Sequence, residues 1–193
     1  MDSPWFKLAN EAEIPSPALL VYVERAEENI RRMIAMAGGP ERLRPHVKTH
    51  KMPALIERQL RVGIRKFKCA TIAEAEMTAR AGAPDVLLAM QPVGPNIDRF
   101  VKLIQTFPNT KFSTIVDDEG IVVQLAAAAS AAKIQINLFL DLDTGMHRCG
   151  VPPGPRAVSL FKQIADAANL RAAGIHAYDG HVHDSDSAQR ARN

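Results

Sequence analysis

Only two cysteines, one tryptophan and two tyrosines occur among the 193 residues, and each scarcity narrows what the chain can be. Cys69 and Cys149 stand far apart without a CxxC spacing, which argues against a disulfide framework and a zinc knuckle and leaves two reduced thiols. The formal charge is only +3, and no run of Lys and Arg interleaves with aromatics, so nucleic acid is not an expected partner. No apolar stretch is long enough to span a membrane; even Ile121 to Ala132 is short and interrupted. The first residues lack a basic region followed by an apolar one, so a cytoplasmic enzyme with a small-molecule ligand is the expectation. No GxGxxG turn follows the first apolar segment, which counts against a dinucleotide-binding fold.

What the chain does have is 47% hydrophobic residues, enough for a real core, and no linker that divides residues 1–193 into two domains. Apolar, β-branched segments alternate with amphipathic ones, the pattern of repeated βα units on a parallel sheet. Strands are expected at Ala18–Val23, Leu43–Thr49, Lys66–Thr71, Val86–Gln91, Phe112–Val116, Ile134–Leu142 and Leu170–Tyr178. Helices are expected at Ala26–Ala37, Met52–Val62, Ala73–Ala81, Ile97–Phe107, Glu119–Ala132 and Arg156–Ala168, several ending at Gly or Pro stops. About seven such units suit a (β/α)8 TIM-type barrel that is incomplete, its closing strands either missing from this chain or supplied by a partner.

Barrel enzymes gather their chemistry at the C-terminal ends of the strands, and the polar clusters here fall at those ends: His46 to Lys51, Gln91, Asp117-Asp118, Asp141 to Arg148 and His176 to His183. In a strand over 43–49, Arg44, His46, Lys48 and His50 share one face. If that face looks into a barrel, neighbouring cations and desolvation favour the neutral amine of Lys48, the form that condenses with a carbonyl. The plainer alternative is a solvated basic edge. Asp141 and Asp143 point the same way, which suits orienting Arg148 better than a glycosidase pair facing across a substrate. His181 and His183 with nearby Asp179 and Asp184 make too weak a set to assign a metal.

Taken together, PALLVY, RPHVKTHK, KFKCATIAEAE, LLAMQPVGPN, LDLDTGMHRCG and GIHAYDGH closely resemble the N-terminal barrel of the D-threonine aldolase and D-serine dehydratase family, itself related to the alanine racemases. The resemblance covers most of Pro17 to His183. It implies a fold type III enzyme that uses pyridoxal 5'-phosphate, built as an alanine racemase-type barrel followed by a β-rich C-terminal domain that this sequence does not contain. By position in these motifs, Lys48 resembles the lysine that forms the internal aldimine, and Arg148 resembles the arginine that approaches the phenolic oxygen of the cofactor. His46, His176 and Tyr178 resemble residues close to the cofactor ring, while His50 and His181 are candidate acid–base groups.

The family's divalent metal is bound from the C-terminal domain, so its ligands are not in this sequence, and neither is the glycine-rich segment that holds the cofactor phosphate. The implied reaction is cleavage of D-threonine to glycine and acetaldehyde, with a D-serine dehydratase as the alternative and a homodimer as the implied assembly. From another class come a non-catalytic pyridoxal phosphate-binding protein and an inactive fragment.

Overall fold

The computed structural model describes residues 4–192. Five parallel strands form one sheet in chain order: β1 (Lys66–Cys69), β2 (Asp85–Leu88), β3 (Lys111–Val116), β4 (Ile136–Leu142) and β5 (Leu170–Ala177). Two helices come before the sheet, α1 (Val23–Ala37) and α2 (Pro53–Arg61). The crossovers are α3 (Ile72–Arg80), α4 (Pro95–Thr106), α5 (Glu119–Ala132) and α6 (Pro155–Asp166), and α7 (Ser187–Arg190) follows β5.

The helices start and stop where local chemistry requires. Thr71 and Asp118 cap α3 and α5 by accepting the backbone N–H of Glu74 and Ile121. Pro53, Pro95 and Pro155 occupy first-turn positions that need no N–H donor. Gly38, with φ 77°, ends α1 while its N–H and that of Gly39 satisfy the last carbonyls.

The helices cover one face of the sheet. There Phe67, Cys69, Val86, Leu88, Phe112, Ile136 and Leu138 pack against Ile56, Ala75, Phe100, Leu125, Leu160 and Ile164. Full burial of each larger side chain contributes roughly 1.5–3 kcal/mol. In β1 and β4 the alternate residues are less buried and belong to the opposite, concave face. The β4/β5 ladder carries an irregularity between Leu138 and Phe139, beyond which Phe139 pairs with Gly174 and Asp141 with His176.

The two earliest expected strands are not strands. Residues 18–22 are irregular, and α1 begins at Val23. The 43–49 segment runs beside β1 through a single parallel bridge, His46 to Lys68, and then winds into a 3-10 turn at Val47–Thr49. Arg44 holds this segment in place, reaching the Asp85 carboxylate at 2.5 Å and the Phe67 carbonyl at 3.3 Å. Of about seven expected strands five form, in one parallel sheet with β1 and β5 at its edges, and the α/β architecture of an incomplete barrel stands with this smaller count.

Candidate functional site

A cavity of about 440 Å³ opens at the C-terminal ends of the strands. Its wall includes Lys48, Lys68, Asp141, Arg148, His176 and Tyr178, with Met90, Ile115 and Met146 as apolar surface. Its size and its mixture of apolar surface and a few polar groups suit a small ligand.

Lys48 reaches the cavity from the 3-10 turn. His46 Nδ1 accepts the Lys48 N–H at 3.3 Å, and Lys51 Nζ donates to the Lys48 carbonyl at 3.0 Å. Lys51 in turn pairs with Glu74 at 2.5 Å, and Glu74 also accepts the Ala70 N–H at 2.8 Å. Burial raises the Glu74 carboxyl, but the Lys51 and Ala70 bonds outweigh it and leave it lowered. An ionised, mostly buried carboxylate thus fastens the turn that carries Lys48. His46 is pushed down to about 4, first by burial and then by the positive charges of Lys48 and Lys68, so its ring is neutral at pH 7.

Arg148 arrives on the loop after β4, which folds back on its own strand. Val151 N–H donates to the Asp141 carbonyl and Asp143 N–H to the Val151 carbonyl. Gly150, with φ 93°, donates to Asp117 Oδ2 at 2.8 Å, and Asp117 N–H donates to Gln91. Asp143 accepts the N–H groups of Gly145 and His147 and faces the His147 ring, which together hold its carboxyl at about 2. The Arg148 guanidinium lies 5.2 Å from the centre of the Tyr178 ring.

Three side chains then link the edges of the sheet. His176 Nδ1 lies 2.5 Å from Asp141 Oδ1, and its Nε2 lies 2.7 Å from Lys68 Nζ. Lys68 is on edge strand β1 and His176 on edge strand β5. In a flat sheet these strands would be four spacings apart, about 19 Å. The contact therefore requires the sheet to curl as a barrel wall does. Burial lowers the Lys68 amine, the positive charges of Lys48 and Arg148 add to this, and Asp141 opposes it.

Of the residues expected from the sequence, His46, Lys48, Arg148, His176 and Tyr178 all line this cavity. His50 and His181 do not. His50 lies in a groove beside Leu19, Leu20 and Val21, and His181 in a separate pocket with Asp179 and His183. The shared face drawn for Arg44, His46, Lys48 and His50 is corrected, because the 3-10 turn replaces strand alternation after His46. His50 Nδ1 accepts the Met52 N–H, leaving Nε2 buried without a partner, as is Nδ1 of His181. Of the aspartates expected to orient Arg148 and its neighbours, Asp141 holds His176 and Asp143 caps the loop that carries Arg148, whose guanidinium faces Tyr178.

Lys48 itself is exposed, not enclosed by strands, and the desolvation expected there falls on Lys68 instead. Lys68, not among the residues expected at the site, has a sequence signal of its own: in Lys66-Phe67-Lys68-Cys69 the lysines alternate with two buried apolar residues.

The donor set fits the ring and aldehyde end of pyridoxal phosphate. Lys48 could offer an amine to a carbonyl, Arg148 a cation to an ionised oxygen, and Tyr178 and His176 flat aromatic surfaces to a ring.

Residues 21–193 match the family model of the alanine racemase N-terminal domain. The chain is 33% identical over 172 residues to a D-threonine aldolase of an Arthrobacter species, covering 89% of this chain and 45% of that protein. It is 35% identical over 190 residues to a 3-hydroxy-D-aspartate aldolase of Paracoccus denitrificans, covering 96% and 48% respectively. The crystal structure of a D-threonine aldolase from Filomicrobium marinum superposes with a TM-score of 0.82 at 34% identity, covering 89% of this chain and 46% of that one. The chain thus spans about half the length of the curated relatives it matches.

Proposed function

The chain belongs to the alanine racemase N-terminal domain family, and on that premise we propose that residues 1–193 are the cofactor-binding part of a pyridoxal phosphate-dependent lyase. Its substrates are D-β-hydroxy-α-amino acids, and its reaction is an aldol cleavage such as D-threonine to glycine and acetaldehyde. The names of the relatives at 33% and 35% identity support the substrate class. The observation that carries the reading is the convergence of Lys48, Arg148, and His176 with Tyr178 on one cavity from three separate stretches of chain.

Lys48 and Arg148 would hold the cofactor in the cavity that Tyr178 and His176 also line. Pyridoxal phosphate supplies an electron sink for the pair released when the Cα–Cβ bond breaks. The protein supplies the rest. Lys48 offers an amine to a carbonyl from a turn pinned by Lys51 and Glu74. Arg148 holds an anionic oxygen, and the loop bonds through Asp117 and Gly150 fix where that charge sits. Asp141 orients His176. Met90, Ile115 and Met146 supply the apolar part of the cavity wall. A proton from the substrate hydroxyl must pass to a group on this wall, which His50 and His181 do not join.

Incubating the purified chain with pyridoxal phosphate tests the reading: an imine absorption band forms, and Lys48→Ala abolishes it. A band that survives the substitution sinks the lysine assignment. D-threonine is then assayed for glycine and acetaldehyde, and D-serine for pyruvate, with and without a divalent metal. Pyruvate without acetaldehyde moves the assignment to a dehydratase. An imine without turnover of either substrate moves it to a cofactor carrier.

A further inference from the structure

The proposed chemistry leaves Lys68 unused, yet this is the lysine that burial acts on, and its nearest partner is unusual. Its amine meets an imidazole nitrogen, His176 Nε2, at 2.7 Å instead of a carboxylate. Two basic nitrogens that close cannot both carry a full set of protons toward each other; one proton lies between them. Behind His176, Asp141 is 3% exposed and sits 2.5 Å from Nδ1. Its negative charge, taken out of water, requires one positive charge on the Lys68–His176 pair. That charge has two homes, the amine and the ring.

We infer that Lys68 is a further acid–base group of this cavity, exchanging a single proton with His176 over the buried carboxylate of Asp141. In one state the Lys68 ammonium donates to Nε2, and the ring donates Nδ1–H to Asp141. In the other the proton has crossed, the imidazolium donates to both neighbours, and Lys68 is a neutral amine. No bond other than N–H is made or broken, and the net charge of the three groups stays constant.

The surroundings narrow the gap between the two states. Facing Lys68 are His46 from the segment bridged to β1, Lys48 from the 3-10 turn, and Arg148 and Cys149 from the loop after β4. From β5 come His176 and Tyr178, whose ring centre lies 5.5 Å from the Lys68 nitrogen, and from β4 comes Asp141. Glu74 of α3 is engaged by Lys51. Lys48 and Arg148 disfavour a charge on Lys68, while Asp141 stabilises a charge on the ring beside it. Lys68 shares its cavity with Lys48, so a proton released there is within the same small volume as the amine expected to capture a carbonyl.

Use of this proton in turnover rests on the lyase reading above; the pair itself does not, and two measurements separate them. In the first, the Lys68 Nζ is titrated by 13Cε–15Nζ NMR in the whole chain. Its midpoint falls below that of the exposed lysines, and Asp141→Asn lowers it further. Co-titration with the exposed lysines overturns the inference, and so does a midpoint unmoved by Asp141→Asn. If Asp141→Asn does not fold, the wild-type titration decides alone.

In the second, Lys68→Arg keeps a fixed cation that does not give up its proton. D-threonine cleavage falls at least tenfold while the pyridoxal phosphate imine band remains. Cleavage within twofold of wild type overturns the acid–base role. A wild-type chain without cleavage, but with the low Lys68 midpoint, refutes the lyase reading and upholds the proton-sharing pair.

Discussion

His46 shows how one ring can serve the site by remaining uncharged. Its Nδ1 accepts the Lys48 N–H, and burial with two neighbouring lysines pushes it down to about 4. An unfolded histidine titrates near 6.5, so between about 6.5 and 4 the unfolded chain binds the extra proton and the folded chain does not. Stability therefore rises with pH across that window and is lost as pH falls through it. Urea unfolding midpoints measured from pH 7 to 4 should decline in the wild type, and His46→Gln should flatten the decline. An unchanged slope in the variant would remove His46 as its source. The polar clusters at the ends of the expected strands made His46, Lys48, Arg148, His176 and Tyr178 legible in the sequence, since strand ends fix where a side chain emerges. Lys68 was harder to see, because its significance depends on β5 curling round to face β1.

Two short elements set the positions of the two cations expected at the cofactor. The turn under Lys48 hangs on Glu74, whose carboxylate takes Lys51 and the Ala70 N–H together. Glu74→Gln removes the charge that Lys51 needs and should lower unfolding free energy by about 1–3 kcal/mol. Chemical denaturation measures this, and slower growth of the imine band reports the loosened turn. The loop bearing Arg148 depends on Gly150, where φ is 93° and an added Cβ would lie 2.6 Å from the Asp143 nitrogen. Gly150→Ala should cost at least about 1–3 kcal/mol, because a side chain there is strained and the obstacle is backbone. A thermal midpoint equal to wild type would show that the loop relaxes around the methyl group. The Gly150 requirement was not visible beforehand: DTGMHRCG holds two glycines, and only folding shows which one abuts the strand.

At the scale of the whole molecule, alternation of apolar and amphipathic segments located five strands and the crossover helices within a few residues, α5 with the same bounds as expected. The first two segments failed as strands for want of ladders. Residues 18–22 have none, and 43–49 makes one bridge before it turns. Local β-propensity cannot form a strand without a neighbour to pair with. The resulting open sheet leaves β5 at an edge, with Ile175 57% exposed. Such an edge favours self-association, and a lysine placed on it opposes association. Ile175→Lys should shift the chain toward monomer in sedimentation velocity while leaving the imine band intact; an unchanged distribution would mean association, if present, uses another surface.

The irregularity in the β4/β5 ladder has a consequence for evolution and engineering alike. Before it, Leu138 pairs with Ala172; after it, Phe139 pairs with Gly174, so one residue on β5 has no counterpart. That surplus residue reverses the strand's odd-even count and turns His176 toward Asp141 instead of toward the helices. A substitution that straightened the strand, drawing residue 173 into regular pairing with no residue lost, would set Ile175 opposite Asp141 and send the imidazole outward with every functional residue still encoded. Such a variant would look intact in a motif search and have no proton partner for Lys68.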